Sequence, residues 1–289
     1  KTAYEIRLSL VGSEMCIRDS DWTGWFHLLR EDVSWEATYN TGRVVNTVNP
    51  DVLICIEVED RITLDRFNGQ VLRKQFGDAA AYPHVLLLDG NDARGIDIGI
   101  LSRFEVTSIR SHLHEADPVT GEKLFSRDCP EFEVTLGGKT IIVLGNHFKS
   151  KRSGNSPAST AKRTRQASRT NEIYAAALQR SDLVIIGGDL NDTPTSEPII
   201  AITQGLTAAK KPKDVMTSPL YTDPYPGTYG TGLASGKFDY LFLSPRLWTG
   251  LSAVGIERRG TYHPQKWDAF DTVTGEVNQA SDHACLWAD

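Results

Sequence analysis

The stretch Val184–Asp192 constrains the fold of this chain more than any other, because a short apolar run stops there on two glycines and turns polar. A run that apolar and that short predicts a buried strand, and the glycines allow the backbone to turn tightly. Asp189 and Asn191 follow, so a carboxylate and a carboxamide leave the strand together at its carboxyl end, where open α/β sheets place their sites. The alternative is a loop Asp and Asn that cap the next helix.

Four further stretches repeat this pattern of an apolar strand that ends in an acid, a histidine or an asparagine. Their polar ends are Glu57, Asn146 with His147, Asp239, and Asp282 with His283. This repetition favours a shared site over the capping alternative.

Length and composition are those of an ordinary globular protein. A chain of 289 residues, 40% hydrophobic and 24% charged, is long enough for one large domain with a substantial core. The net charge of −6 argues against a protein that coats nucleic acid, but it is compatible with an enzyme acting on a phosphate held by a local metal ion. The four cysteines form neither a CxxC pair nor a zinc-type cluster, and no apolar run approaches the roughly 18 residues of a membrane span.

Hydrophobic periodicity predicts about ten strands and three or four helices. Several strands are joined by hairpins, one of them signalled by Gly137 and Gly138. This pattern favours mixed sheets packed face to face with helices outside, rather than a doubly wound parallel sheet. The predicted helices are 31–48, 60–76 and 160–179, and the predicted strands are 52–56, 84–88, 96–103, 104–112, 132–136, 140–144, 184–186, 238–243, 251–256 and 284–287.

Residues 1–20 differ from the rest of the chain. Residues 4–10 alternate as an exposed strand would, but residues 11–20 resemble the translated adapter sequence that contaminates some environmental gene assemblies. We therefore expect residues 1–20 to be non-native, and the true first strand to be missing or replaced.

The five polar strand endings, taken in order, resemble the endonuclease/exonuclease/phosphatase superfamily, which includes deoxyribonuclease-I-like and exonuclease-III-like nucleases. The resemblance covers Asp21–Asp289, which we interpret as one domain. It implies an α/β fold, a four-layered sandwich in which two packed mixed β-sheets are flanked by helices. It also implies divalent-metal-dependent hydrolysis of phosphate esters.

The expected cofactor is Mg²⁺, with Mn²⁺ or Ca²⁺ as alternatives. Mg²⁺ is a hard cation held by only one or two carboxylates plus waters, and it suits phosphate chemistry. Glu57 is the first candidate ligand, and Asp282 is the second, directly or through water. An ordinary strand-end salt bridge is the alternative for Glu57.

The resemblance also implies roles for the other polar residues. Asp189 would orient or deprotonate the attacking water, and Asn191 would fix the phosphate or a metal-bound water through its amide hydrogens. His283 would contact the phosphate, while Asp239 would hold its other ring nitrogen and favour the protonated ring. His147 would be a second histidine on the phosphate side.

Three residues are candidates for binding the substrate. Asn146 contacts either the phosphate or a neighbouring strand, and Lys149 lies just after His147. Arg94 could grip a phosphate bidentately, and Asp97 close by could orient His147. For Arg94 and Asp97 the alternative is a surface ion pair.

Between Asn146 and Asn171 the chain has no acidic residue but several basic ones. Such a positive strip suits a polyanionic substrate, although most charge runs are solvated faces. The residues Phe148–Lys151 resemble bacterial nuclease-like members. The basic residues of the strip are Lys149, Lys151, Arg152, Lys162, Arg163, Arg165 and Arg169.

Two departures from the family pattern bear on the metal site. No Asn-bearing first strand precedes Glu57, and Ile56 stands where a Gln commonly precedes the Glu. The sequence nevertheless predicts a Mg²⁺-dependent phosphoesterase, in the first place a nuclease-like phosphodiesterase acting by in-line water attack on a phosphate ester. Nucleic acid is the candidate substrate of that reading. The alternatives are a phosphatase or sphingomyelinase-like enzyme for a small or lipid phosphate, and an inactive binding module. No protein partner is predicted.

Overall fold

The computed structural model describes residues 34–151 and 156–289 of the chain. The expectations for residues 1–20, including the damaged first strand, lie outside the described residues. The described chain forms two compact units. The first unit contains residues 34–103 and 257–285, and the second contains residues 104–256 and 286–289.

The first unit begins with helix α1, Trp35–Val48. The Ser34 side chain caps it by accepting a hydrogen bond from the Ala37 N–H at 3.1 Å. Asn49 ends it in the left-handed conformation, with φ of 52°. The sequence predicted this end from Asn49-Pro50, because the residue before a proline avoids the helical region, and the prediction is confirmed.

A three-stranded antiparallel sheet supports the rest of the first unit. Its strands are β1 (Val52–Val58), β2 (His84–Leu88) and β3 (Asp97–Ser102), in the order β1-β3-β2. Helix α2 (Arg61–Arg66) continues through a π-helical segment, Phe67–Arg73, into α3 (Lys74–Phe76). This continuous helical run confirms the predicted helix 60–76. Leu64, Phe67 and Leu72 from this helical run are fully buried in one core with strand residues.

The second unit contains a six-stranded sheet in the order β4-β5-β6-β7-β9-β8. Only β6 and β7 pair in parallel, and the other pairs are antiparallel, so this sheet is mixed. Gly137 and Gly138 have positive φ and join β5 to β6, which confirms the predicted hairpin. The strands are β4 (Val106–Arg110), β5 (Glu131–Leu136), β6 (Lys139–His147), β7 (Val184–Asp189), β8 (Lys213–Asp214) and β9 (Asp239–Leu243).

Helix α4 (Pro157–Ala177) packs on this sheet. Its Ile173, Tyr174 and Ala177 share a buried core with Ile142 of β6 and Ile186 of β7. The remaining elements are short: α5 (Glu197–Ala201), α6 (Pro245–Trp248) and a two-stranded sheet of β10 (Val254–Glu257) and β11 (Cys285–Ala288).

The predicted α/β architecture with two main sheets and packed helices is confirmed, and a doubly wound parallel sheet is excluded by the antiparallel pairings. The sequence missed β8, α5 and α6, which have two, five and four residues and are too short to show a periodic pattern. None of the helices in residues 34–151 and 156–289 is long and apolar enough to cross a membrane.

Candidate active site

Three adjacent strands of the second unit bring His147, Asp189 and Asp239 into one row. His147, the last residue of β6, pairs in register with Asp189, the last residue of β7. Asp189 in turn pairs with Asp239, the first residue of the antiparallel strand β9. The three predicted residues are therefore neighbours at one edge of the sheet, although 92 positions separate the first from the last (239 minus 147). We call them the catalytic row, after the role that the sequence predicts for them.

Gly188 allows β6 and β7 to approach each other at the catalytic row. Its φ is +127°, and a Cβ built on it would lie 2.0 Å from the backbone oxygen of Asn146. Any larger residue would have to push the two strands apart. The sequence indicated a turn at this glycine, and the structure adds a close approach between strands.

Asp189 is held in place from several directions. The Asn191 backbone N–H donates to its Oδ1 at 2.7 Å, and the Asn191 amide donates to its Oδ2. The His147 Nε2 lies 3.6 Å from the same Oδ2, and both side chains are only 2% exposed. The Asn191 amide also donates to the Phe148 carbonyl at 3.2 Å, so its side-chain N–H groups form hydrogen bonds within the protein. These contacts favour a positioning role for Asn191, while its contact with phosphate stays a prediction.

Asp239 differs from Asp189 in its electrostatic surroundings. Burial raises the pKa of Asp239 well above its ordinary value, against the opposing effects of a Thr228 hydrogen bond and the Lys237 charge. Lys237 is itself buried and bound to Asp214 at 2.9 Å, with its Nζ 3.7 Å from the centre of the Tyr240 ring. The predicted contact of Asp239 with His283 stays a prediction.

Asp192 forms the centre of a charged cluster three residues after Asp189. Its carboxylate is bound by Arg163 Nε at 2.9 Å and by Lys151 Nζ, and its carbonyl accepts from Tyr240 Oη at 2.8 Å. Burial raises the pKa of Asp192, but the hydrogen bonds from Lys151 and the Thr193 N–H, with the two positive charges, lower it overall. The cluster therefore keeps this carboxylate ionised and fixed.

Asn146 and Lys149 are built into the fold through helix α4. Asn146 is fully buried, donates to the Leu144 carbonyl at 3.2 Å and accepts from Thr170 Oγ1 at 3.0 Å. This favours the structural alternative for Asn146. The backbone N–H of Lys149 donates to Gln166 at 2.9 Å, which fixes the chain but leaves the role of the Lys149 side chain a prediction.

Glu57 occupies a β-bulge in the first unit. Ile56 pairs with Ile98 and Val58 with Asp97, so Glu57 is skipped in the ladder between β1 and β3. Its φ is 59°, a left-handed conformation that costs a non-glycine residue about 1–2 kcal/mol. Bulges redirect side chains and are frequent next to active sites. The half-buried carboxylate thus leaves the sheet at the position that the sequence singled out.

The other first-unit candidates lie in loops or at a strand end. The His283 N–H donates to Ser281 Oγ at 3.0 Å, and its side chain is buried beside the half-buried Asp282. Asp97 accepts from the Gly90 N–H at 2.7 Å, which orders the loop before β3. Their contacts with substrate or His147 stay predictions.

Arg94 is engaged by a neighbouring carboxylate. Its Nε lies 3.2 Å from Asp92 Oδ1, and its backbone N–H donates to the same oxygen at 3.0 Å. This geometry favours the ion-pair alternative over a phosphate clamp.

The carboxylates predicted to hold the metal ion, Glu57 and Asp282, fit a hard divalent cation. Within residues 34–151 and 156–289, no three His, Cys, Asp or Glu side chains form a cluster that could bind a metal ion. A hard cation such as Mg²⁺ needs only one or two carboxylates and keeps several waters. Glu57 and Asp282 supply hard carboxylate oxygens of the kind that Mg²⁺ requires.

Four cations of the positive strip between Asn146 and Asn171 are engaged in ion pairs, and the binding of a polyanionic substrate by this strip stays a prediction. Each of the four pairs with an acid that is distant in sequence, which the local sequence could not reveal, and Arg169 also pairs with Glu172 on the same helix. The pairs are Lys151 and Arg163 with Asp192, Arg165 with Asp117, and Arg169 with Glu115 and Glu172. Arg152 lies outside the described residues.

Sequence reasoning missed several residues that shape the site. Asp192, Arg163 and Lys237 carry charges that are buried, and a charge in a linear sequence gives no sign of burial. The spacing of Arg163 and Gln166 on α4 could have indicated that both side chains point the same way, since residues three apart share a helix face.

Glu59 is a further acidic residue close to a predicted metal ligand. Burial, with the nearby Asp60 charge, raises the pKa of Glu59 to about 7, two residues after Glu57.

Comparisons with known proteins agree with this fold. Residues 37–283 match the model of the Endonuclease/Exonuclease/phosphatase family. Truncated TDP2 from Caenorhabditis elegans is similar in structure, with a TM-score of 0.57 and 20% identity over 87% of this chain and 88% of that one. An endonuclease/exonuclease/phosphatase family protein from Bacteroides thetaiotaomicron reaches a TM-score of 0.60 with 16% identity, covering 88% and 85% of the two chains.

The catalytic domain of human Nocturnin with a bound sulfate anion has a TM-score of 0.58 and 14% identity, covering 89% of this chain and 87% of that one. At these identities the structural similarities show the fold alone. The comparison with curated proteins gives no match.

Proposed function

This chain belongs to the endonuclease/exonuclease/phosphatase family, and from that premise we propose that it is a Mg²⁺-dependent phosphodiesterase of the nuclease kind. The reaction is the hydrolysis of a phosphate diester by in-line attack of a water molecule. The proposal rests on one observation above all, the catalytic row in which Asp189 faces His147 at 3.6 Å.

Asp189 is the group that orients the attacking water and accepts its proton. A carboxylate fixed by two hydrogen bonds from Asn191 loses little orientational freedom on reaction, which is what a general base requires. His147 donates a hydrogen bond to a phosphoryl oxygen as negative charge develops there. Asp239, the third member of the row, lies beside Asp189 in register on β9.

Glu57 and Asp282 would hold the metal ion. A bound Mg²⁺ supplies charge neutralisation at the phosphoryl oxygens. His283, next to Asp282, contributes a further hydrogen-bond donor to the phosphate.

The charge around the catalytic row favours a diester over a monoester. A phosphodiester carries one negative charge, whereas a monoester carries about 1.5 to 2 near neutral pH. Lys151 and Arg163 near the row are already neutralised by Asp192, and Lys237 is neutralised by Asp214. The Phe148–Lys151 segment resembles nuclease-like members, which supports a nucleic-acid diester.

The test compares three substrates: supercoiled plasmid DNA, a chromogenic phosphodiester and the matching monoester. Each is incubated with Mg²⁺ and, in parallel, with excess chelator. We expect plasmid nicking and diester hydrolysis that need Mg²⁺, and little monoester hydrolysis.

Two outcomes would contradict parts of the proposal. Hydrolysis confined to the monoester would exclude the diester assignment and indicate a phosphatase. The absence of hydrolysis of all three substrates would favour a binding module that keeps the fold.

A further inference from the structure

Arg163 of helix α4 connects the two chain segments that follow β6 and β7. Its Nε binds Asp192 Oδ2 at 2.9 Å, and its Nη1 donates to the Lys149 carbonyl at 3.2 Å. Lys149 lies two residues after His147, and Asp192 lies three residues after Asp189. One guanidinium group therefore bridges the exits of the two strands that carry the catalytic row.

Two further side chains of α4 bind the same region. Gln166 accepts from the Lys149 N–H at 2.9 Å, and Thr170 donates to Asn146 at 3.0 Å. Together with Arg163 they occupy positions i, i+3 and i+7, which lie on one face of a helix. All three are fully buried, so this polar face serves the interior of the second unit and not the solvent.

We propose that Arg163 is a positioning residue that sets the spacing of His147 and Asp189. The inference rests on the proposed function for its catalytic consequence, but its geometric part concerns the fold alone. A planar guanidinium can donate along two directions at once, whereas a lysine ammonium is a point charge on a flexible stem. Arg163 therefore fixes two loops relative to each other in a way that charge alone does not.

Arg163 can act on the catalytic row because its two partners lie two and three residues from His147 and Asp189, and because hydrogen bonds join these two chain segments. The Phe148 N–H donates to the Asp189 carbonyl at 2.9 Å, and its carbonyl accepts from Asn191 at 3.2 Å. A shift of the Lys149 or Asp192 segment therefore moves His147 and Asp189 relative to each other. Displacement of a catalytic group by about 1 Å can lower a rate by about 100-fold.

The matched control is Arg165 on the same helix. It forms a comparable ion pair, with Nη2 2.7 Å from a buried carboxylate, but that partner is Asp117. Replacing Arg165 with methionine removes an arginine and an ion pair from α4 without touching Lys149 or Asp192. Differences between Arg163→Met and Arg165→Met thus separate positioning from the general loss of an ion pair.

The experiment measures kcat and KM for the diester in Arg163→Met, Arg163→Lys and Arg165→Met, and records NMR spectra of each full chain. We expect Arg163→Met to lower kcat about 100-fold with KM nearly unchanged, Arg163→Lys to lower it about 10-fold, and Arg165→Met to stay within about twofold. The Asn191 amide and His147 ring signals should shift in both Arg163 variants and not in Arg165→Met.

Arg163→Lys keeps the charge and carries the test if Arg163→Met fails to fold. An Arg163→Lys protein that unfolds, or that keeps wild-type kcat and unshifted signals, would overturn the proposal, since either result assigns Arg163 to stability alone. A wild-type protein without phosphoesterase activity would instead remove the proposed function, and the NMR comparison would still decide the geometric claim.

Discussion

The two units present their candidate residues by different means. In the second unit, side chains from helix α4 and from the loops hold the catalytic row through buried hydrogen bonds and ion pairs. In the first unit, Glu57 leaves the sheet because the backbone itself bulges, with a left-handed residue skipped by the ladder.

This difference separates two ways of coupling function to stability. Where side chains fix a catalytic group, a change in any supporting residue disturbs both stability and rate. Where a bulge presents the group, the backbone of the ladder fixes its position. The following predictions test this contrast.

The largest expected effect is on catalysis in the second unit. Asp189→Asn keeps the side-chain volume but removes the base, so kcat/KM for the diester should fall by about 10²- to 10⁴-fold. The exposed Asp182 provides the control, because Asp182→Asn should leave the rate unchanged. Equal rates in Asp189→Asn and the wild type would remove Asp189 from the mechanism.

Glu57→Gln should lower the diester rate about 100-fold at low Mg²⁺, because a metal ion contributes several kcal/mol to the transition state. Added Mg²⁺ should raise the melting temperature of the wild type more than that of the variant, a readout that does not need activity. If Glu57 and Asp189 act on one phosphate, the double variant should lose less than the product of the two single losses. Strictly multiplicative losses would indicate independent roles.

Glycine-to-alanine substitutions should lower the free energy of unfolding more in the second unit than in the first. Gly188→Ala places a Cβ against the Asn146 backbone at an unfavourable φ, so unfolding should become easier by about 3 kcal/mol or more. Gly95→Ala in the first unit also has positive φ, but it faces open space and should cost only about 1–2 kcal/mol. Urea unfolding measures the free energy of unfolding of both variants. Equal losses of stability would show that the close approach of Gly188 to Asn146 does not add to the cost of the substitution.

Asp192→Asn should destabilise the protein at pH 7 by about 3 kcal/mol, because it breaks a buried ion pair. The pKa of Asp192 is lowered in the fold from its ordinary 3.8, so the carboxylate stabilises the protein above that pH. This contribution is lost as the pH falls through the lowered pKa, and the gap between variant and wild type should close there. A gap independent of pH would contradict the ionised role of Asp192.

Much of the scaffold was predictable because it depends on local pattern. Strand β2 has the predicted bounds, His84–Leu88, and the glycine hairpin at Gly137 follows from turn chemistry that acts over a few residues. The catalytic row was predictable for a related reason, since strand ends at one sheet edge collect the polar residues that follow them.

The rest depends on partners that are distant in sequence. The cations of α4 formed a positive strip in the linear chain, but Asp117 and Asp192 neutralise them from other segments. The bulge at Glu57 was also hidden, because whether a residue is skipped depends on its register against β3. These features arise from tertiary pairing, for which local periodicity carries no signal.

The bulge at Glu57 has a practical consequence for identifying what this chain acts on. Because the residue stands outside the ladder, Glu57→Gln should yield a folded protein that retains the catalytic row but turns over its substrate slowly at low Mg²⁺. Such a variant could be used as a trap, from which uncleaved phosphate esters are recovered and identified by mass.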